Sequence, residues 1–593
     1  MALLYLNANM FHGAVIQACH WVIQQREALN AINIFPVADG DTGDNMAATA
    51  SAIIHHAPSQ PTLPAVCKVI ADASILGARG NSGMIFSQFF NGLIEEAELP
   101  SQLNTQQFAG LITKAAKSVR AAILNPVEGT ILTVMDAWAK SLSQHAQSIS
   151  DFKVLMNEIK QDVQTALQST SHLLAVLKEA HVVDAGAKGF SLFVQGFAAF
   201  VTNPESVTAQ SEPVVLEACH THDDLSICNV APNRRYCTEA MIMGEHIDKE
   251  LVKEAISHHG DSVVLTGNQR LCRLHLHCNE PALVFDTLKP LGKIRYPKVD
   301  DMLRQYQIIH ERNYRIALVT DSAVNIPQSV VDDYQIHFIS FNVHWNDHDL
   351  LDNHAFVSND FYNNLTNLAV YPTTSFPPPA LIDEKIAHLS QHYEDVLIIS
   401  LAQVLSGTHD AIKQVAARYP NVHVVNSNHA SGSQGLLVNY AAELIADRLP
   451  IDAVKDAVIK KIPQTKFFAM VNHIDSLVRS GRVPKIAGKI VQFAGIKPII
   501  SLDKEGRVIL CDKAFSETKA LAKLIARVSS LMDTHGGLLN YCILHAGVPD
   551  KAREFAILTT EAFGHEPAFI EPVATAIGLH AGAGSVGLAA MFS

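Results

Sequence analysis

The 593 residues, 48% apolar and 17% charged, are enough for large cores and predict a soluble chain of roughly three to five domains at ~100–200 residues each. A formal charge of −13 argues against nucleic acid or an anionic membrane as a standing partner, because both reward a basic face. No apolar run reaches the ~18 residues that a membrane span needs, the start MALLYLNANMFHG lacks a secretory pattern, and nine scattered cysteines fit reduced thiols, so the expected compartment is the cytoplasm.

Residues 1–203 are helical by periodicity. The loop Asp39-Gly40-Asp41-Thr42-Gly43-Asp44-Asn45 holds two carboxylates one glycine apart, a seat suited to Mg²⁺, which takes oxygen ligands and is often shared with substrate phosphates. Met46, Ala50, Ile53 and Ile54 then mark the stripe of a helix that begins where this loop ends. Three more small-residue loops open helices: Gly80-Asn81-Ser82-Gly83 before Phe86, Phe89 and Phe90; Glu128-Gly129-Thr130 before Ile131, Val134 and Trp138; and Asp184-Ala185-Gly186 before Phe190, Phe193 and Phe197. Taken singly, Ser82, Thr130 and Asp184 read as ordinary N-caps. Taken with the two-carboxylate loop they read as helix mouths that cradle a triphosphate, since unpaired N–H groups favour phosphate oxygens there. No GxxxxGK[ST] is present, so the host is not a P-loop fold.

Residues 204–233 are polar and turn-rich, as a linker would be, and residues 234–311 form an α/β block. In its strand RLHLHC, His275 and His277 stand two apart and share a face, and Cys237 on the strand YCTEAMIM can come close to them. One thiolate and two imidazoles suit Zn²⁺. A pair of solvent-facing strand histidines beside a core cysteine fits the same spacing. Cys278 is a candidate fourth ligand, and Cys219-His220-Thr221-His222 in the linker reads as coincidence.

From residue 312 the grammar is strand, polar loop, helix, which predicts a mainly parallel sheet with helices on both faces and sites at the carboxyl ends of the strands. A division into two lobes is expected near residue 465. The segment Pro372-Thr373-Thr374-Ser375-Phe376-Pro377 reads as a rigid loop that, with Ser406, presents hydroxyls to an anionic oxygen. Arg479, Arg482 and His580 are the further anion-friendly side chains. Residues 582–587 match GxGxxG in form only, because a dinucleotide fold needs a following strand and acidic residue for which the remaining six residues leave no room.

Two resemblances cover nearly the whole chain. NIFPVADGDTGDN, GARGNSG, EGTILTV and VVDAGAKG, in that order, resemble the nucleotide-binding domain of bacterial fatty acid kinase, itself related to the ATP-binding subunit of dihydroxyacetone kinase. YCTE and the two-histidine strand resemble the middle domain of the same kinase. TDS at 320–322, PTTSFP, LSGT at 405–408, LVRSGRV at 477–483 and GLHAGAGSVG at 578–587 resemble the DegV family of fatty-acid-binding proteins.

The resemblance implies an all-α antiparallel helical bundle or barrel, a small α/β middle domain and a two-lobed α/β region. It implies ATP and Mg²⁺, with Asp39 and Asp41 on the metal, Gly80, Asn81, Ser82, Gly83, Gly129 and Thr130 along the phosphates, and Asp184 closing the nucleotide site. Asp44 stands where the family has a small hydroxyl residue, and Asn33 is the nearest polar group to a missing third metal ligand. Cys237, His275 and His277 would carry a structural Zn²⁺. Thr373, Thr374, Ser375 and Ser406 would hold a long-chain fatty acid by its carboxylate, with Arg479, Arg482 and His580 around the point of phosphate transfer. The expected reaction is ATP-dependent formation of an acyl phosphate in a homodimer with at most transient membrane contact for lipid exchange. A lipid-binding regulator with a sensing kinase domain and a small-metabolite kinase of the dihydroxyacetone type are the other readings.

Overall fold

The computed structural model describes residues 2–35, 40–94, 99–204, 231–354, 361–362, 365, 370–472, 476, 479 and 496–593. Asp39, Arg482 and the Cys219–His222 cluster lie outside them. The chain divides into two compact units, Met1–Tyr306 and Gln307–Ser593.

The first unit opens with helices α1 (Ala8–Gln24), α2 (Arg26–Asn30), α3 (Thr42–His56), α4 (Leu63–Gly77), α5 (Gly80–Gly92), α6 (Thr105–Ala122), α7 (Ile131–His145), α8 (Phe152–Leu173), α9 (Ala175–Glu179) and α10 (Ala185–Thr202), with a two-residue pairing of β1 (Leu6–Asn7) and β2 (Gln102–Leu103). The apolar spacing seen in the sequence sets the buried faces: α1 buries Phe11, Ala14, Val15, Ala18 and Val22 after its N-cap Asn7 accepts the Met10 N–H. The phenylalanines predicted to follow the small-residue loops meet in one aromatic core, where Phe89 lies 5.1 Å from Phe190 and 5.9 Å from Trp138, and Phe86 lies 5.3 Å from Phe193. The edge contacts of Phe89 with Phe190 and of Phe86 with Phe193 add about 0.5–1.5 kcal/mol each beyond area burial.

An antiparallel sheet follows in the order β4 (Gly260–Gly267), β5 (Leu271–Cys278), β3 (Tyr236–Met243), β6 (Lys293–Asp301), with α11 (Lys249–Ile256) and α12 (Pro281–Leu288). It is tied to the helices at several points. Leu124 N–H donates to the Val263 carbonyl (3.2 Å), Lys253 Nζ to the Ala121 carbonyl (2.6 Å), and Asn268 Nδ2 to Asp72 (3.2 Å).

The second unit contains the predicted parallel sheet, ordered β13 (Val422–Asn426), β12 (Asp395–Ser400), β7 (Ile316–Asp321), β8 (His337–Ile339). The parallel expectation fails for the second sheet, β16 (Val508–Ala514), β15 (Lys497–Leu502), β14 (Thr465–Met470), β19 (Val586–Phe592), β17 (Leu538–His545), β18 (Phe569–Pro572), where only β17 and β18 run parallel. The reason is local: β15 and β16 are joined by a short turn that forces an antiparallel hairpin, and the closing strand β19 inserts between β14 and β17. A third, small sheet is ordered β10 (His348–Leu351), β9 (Asn342–Trp345), β11 (Thr373–Ser375). Thr373–Ser375 is therefore a strand and not the expected loop, because the β-branched threonines pair with β9 between flanking prolines.

Where these sheets meet, Asp352 is buried. It accepts the Ala576 N–H at 2.7 Å. Burial pushes its carboxyl up to about 7, against the bonds from Ala576 and Ser322 and with the charge of Asp321 adding to the rise. A carboxyl raised in the folded state is bound to a proton that the unfolded chain gives up near pH 4, so its contribution is present at low pH and lost as pH climbs toward 7. Between pH 5 and 8 this group should cost about 3 kcal/mol of stability, at about 1.4 kcal/mol per pKa unit. Asp352→Asn keeps the acceptor and removes the charge. It is expected to melt several degrees above the parent at pH 8 and to keep less than half of that advantage at pH 5, as read by thermal unfolding at both values.

Candidate functional site

The middle sheet presents one polar face built by period two. Cys237 and Glu239 on β3 stand opposite His277 and His275 on β5, and opposite Asp300 and Lys298 on β6. Because side chains alternate and registers match, all six fall on the same side. The face borders a small cleft of about 60 Å³ whose other wall is Asn33, Phe35, Asp41, Thr42, Asn45 and Gly80, Asn81 and Ser82.

That second wall is where helices begin. Gly80 has φ +55°, and a β-carbon on it would stand 2.2 Å from Asn45 Nδ2, so only glycine turns the chain into α5 here. Its N–H donates to Glu239 Oε1 at 2.6 Å. Thr42 Oγ1 and Ser82 Oγ lie 3.1 Å apart and bring together the first turns of α3 and α5. The first turns of α7 and α10 come to the same end, since a β-carbon added to Gly186 would lie 3.4 Å from Ile131 Cβ and 3.8 Å from Ser82 Oγ. Four helix N-termini thus converge with their dipoles, and several of their first-turn N–H groups already have partners: Thr42 with Asn33, Gly80 with Glu239, Leu132 with Thr130 and Ala187 with Asp184.

The charges of the cleft push on one another. Burial raises the Asp41 carboxyl above its usual range, Asn45 and Lys298 oppose this, and Asp300 and Glu239 add to it. Burial would raise Glu239 too, but a hydrogen bond and charge from His275, together with Lys298 and Arg273, hold it below the usual carboxylate range. Burial and His275 push His277 down to about 3, against the pull of Glu239, so its ring is neutral and able to act as a ligand. Burial also raises the Cys237 thiol, further raised by Glu239, Asp300 and Asp41 and opposed by Lys298.

The residues fit metals. Ligand atoms of Cys237, His275 and His277 lie within 4.8 Å of one another, the His275 and His277 Nε2 atoms are 3.3 Å apart, and His275 Nδ1 meets the Glu239 carboxylate at 3.1 Å, the outer partner that orients a ligating imidazole. Asp41 and Asp300 are oxygen donors in the same cleft, of the kind a hard divalent cation takes.

Several predicted positions are placed differently. Asp184 is buried at the N-cap of α10, where its carboxylate accepts the Ala187 N–H (2.7 Å); burial raises it to about 7 against the bonds from Ala187, Ile131 and Gly186. It fills the mouths of α7 and α10 with its own carboxyl and is not among the residues that line the cleft. Thr130 is the N-cap of α7, accepting from Leu132 N–H, and Gly129 turns against Leu173. Ser82 is inside the first turn of α5, whose N-cap is Arg79. Gly83 lets α5 lie against α3, since a β-carbon would meet the Asn45 carbonyl at 2.7 Å. Asp44 is held away by Asn30 (2.8 Å) and Arg26 (3.3 Å), while Asn33 lines the cleft and accepts the Thr42 N–H (2.8 Å). Cys278 is corrected as a ligand: strand alternation turns it to the opposite face, where it meets Thr238.

The second unit holds a partly open cavity of about 300 Å³, at the lower end of small-molecule pockets. Phe341, Leu401, Phe467, Ile500 and Ile577 make it apolar, and Thr374, Ser375, Ser406 and His580 line it with polar groups. Thr373 is exposed and outside it. Ser406 Oγ lies 2.8 Å from Thr408 Oγ1. Arg479 stacks on Tyr371 at 4.8 Å, and the Tyr371 hydroxyl donates to the Leu579 carbonyl (2.5 Å), next to His580.

Sequence reasoning missed Glu239, Lys298 and Asp300. For Glu239 the signal was present, two residues from Cys237 on the same strand, just as His275 stands to His277.

Comparison with known proteins finds the DAK2 domain over residues 36–199, the FakA-like middle domain of fatty acid kinase over 233–309 and the DegV family of uncharacterised proteins over 315–593. Protein YloV of Bacillus subtilis is 30% identical over 319 residues, covering 52% of this chain and 58% of that protein. An uncharacterised protein of Staphylococcus saprophyticus is 31% identical over 319 residues, covering 52% and 57%. The chain thus spans little more than half the length of these curated relatives. Among solved structures, a fatty-acid-binding DegV family protein from Thermus thermophilus matches at 23% identity and TM-score 0.45, covering 47% of this chain and 100% of that one. DegV of Bacillus subtilis, a fatty acid binding protein, matches at 23% and 0.42 over 47% and 100%. Among the described residues no helix is long and apolar enough to cross a membrane.

Proposed function

We propose that this chain, which joins a DAK2 domain, a FakA-like middle domain and a DegV domain in one polypeptide, phosphorylates the carboxylate of a fatty acid with ATP to give an acyl phosphate. The observation that carries the reading is the convergence of the α3 and α5 N-termini beside Asp41, in a chain that also holds an apolar cavity edged with hydroxyls. The working division is a helical nucleotide domain over 1–203, a middle domain over 234–311 and a fatty-acid-binding region over 312–593.

The acceptor carboxylate is ionised at pH 7, so attack on the γ-phosphate needs no general base and catalysis rests on placement and charge. Thr374, Ser375, Ser406 and His580 hold the carboxylate at the polar edge of the cavity while the chain occupies the apolar part. The N–H groups of the α3 and α5 first turns hold phosphate oxygens. Asp41, with Asp39 of the same loop, holds Mg²⁺, which when bound neutralises phosphate charge. Cys237, His275 and His277 hold Zn²⁺, with Glu239 fixing the His275 ring. Arg482 and Arg479 supply positive charge to the transferred group. Joining both binding regions raises their effective concentration to about the millimolar range.

The test is ADP release by the full chain with palmitate, oleate or dihydroxyacetone, with the acyl phosphate trapped as its hydroxamate. Stimulation by either fatty acid with hydroxamate formed is expected. ADP release that rises with dihydroxyacetone, or with no acceptor offered, would sink the proposal.

A further inference from the structure

At the polar edge of the apolar cavity, Ser375, which in the reading above only holds the carboxylate, is joined to two side chains that phosphate transfer does not use, His344 and Asp349. Strand β9 lies between β10 and β11, and β9 and β10 are joined by Asn346 and Asp347, both at positive φ (44° and 64°), the conformation of a tight hairpin turn. That turn sets His344 opposite Asp349, while β11 places Thr373 opposite His344 and Ser375 two residues further on the same face. His344 Nδ1 lies 2.8 Å from Asp349 Oδ1, and His344 Nε2 lies 3.0 Å from Ser375 Oγ.

The proton positions follow from donor chemistry. An ionised carboxylate only accepts, so Nδ1 carries the hydrogen of the neutral ring and Nε2 is left as an acceptor. The Ser375 hydroxyl must then donate to Nε2. This is the order of carboxylate, base and nucleophile that activates a serine. Ser375 also lines the cavity, as do Ser406 and His580.

We propose that Ser375, His344 and Asp349 form a catalytic triad that hydrolyses activated long-chain acyl groups, esters or thioesters, whose chain occupies the cavity. The proposal rests on the reading that this cavity holds an acyl chain. Ser375 Oγ attacks the acyl carbonyl carbon as its proton passes to His344 Nε2. The bond to the leaving oxygen or sulfur breaks, and that atom takes the proton from His344. Water, deprotonated by the same nitrogen, then attacks the seryl ester, and Ser375 recovers its proton as the free fatty acid forms. The product is the acceptor of the phosphorylation proposed above, released where it would be held.

The full chain, without ATP, is assayed with p-nitrophenyl palmitate and p-nitrophenyl acetate, and labelled with a fluorophosphonate whose site is mapped by mass spectrometry. Hydrolysis of both esters and labelling at Ser375 are expected. His344→Gln should lower hydrolysis by about 10²–10⁴-fold, the range for a general base, and Asp349→Asn should lower it too. The His344 side chain is 45% exposed, so the glutamine variant keeps the fold, checked by circular dichroism. Equal hydrolysis by the parent and His344→Gln, or labelling absent from Ser375, would overturn the proposal and leave a cross-strand polar cluster. Acetate hydrolysis reads the triad alone and palmitate also needs the cavity, so activity on acetate only would sink the acyl-cavity reading while the triad stands.

Discussion

Asp41→Asn is expected to lower fatty-acid-dependent ADP release by at least about 10²–10³-fold, the scale of losing one preorganised electrostatic group at a transferring centre, while leaving fatty acid bound to the second unit. Asp41 faces the cleft at the N-cap of α3, hydrogen-bonded to Asn45 and crowded by the charges of Asp300 and Glu239. Asparagine has the same shape and no charge, so the crowding is relieved and the folded chain should be no less stable. The diagnostic result is therefore lost turnover with a melting temperature unchanged or slightly raised. Native mass spectrometry reads the retained acyl chain. Loss of acyl binding together with turnover would mean that the two sites are not separate.

Glu239→Ala should instead destabilise the first unit, by about 3–5 kcal/mol, because it removes one partner from a buried set of charges. Glu239 is 2% exposed; one carboxylate oxygen takes the Gly80 N–H and faces His275, and the other lies 3.6 Å from the Arg273 guanidinium. Alanine leaves the Arg273 charge buried without its counterion and the Gly80 N–H without an acceptor. Denaturant unfolding followed by the fluorescence of Trp21 and Trp138, both in the helical part, measures the loss. Glu239→Gln keeps an oxygen for Gly80 and should fall between the parent and alanine. Equal stability of all three forms would refute the role given to this residue.

What was legible in the sequence was local. Glycine-rich loops ahead of phenylalanine stripes announced helix starts, because N-terminal turns and 3.6-residue spacing are set within a few residues. His275 and His277 announced a shared strand face for the same reason. Lys298 and Asp300 gave no signal, since they join the cleft only through the pairing of β3 with β6, some sixty residues apart in the chain. Thr130 and Asp184 cap their helices, a role that the sequence allows as readily as a place at an open mouth, and the distances show the cap bonds. His344 and Asp349 looked unremarkable until the hairpin set them side by side.

The wall made by β5, β3 and β6 takes two residues from each strand. One residue gained or lost within β3 upstream of Cys237 and Glu239 would swing both to the far side of the sheet while His275 and His277 stayed where they are. Descendants of this chain therefore have frozen strand lengths, and any growth must be confined to the connections that carry α11 and α12 and to the β4–β5 turn.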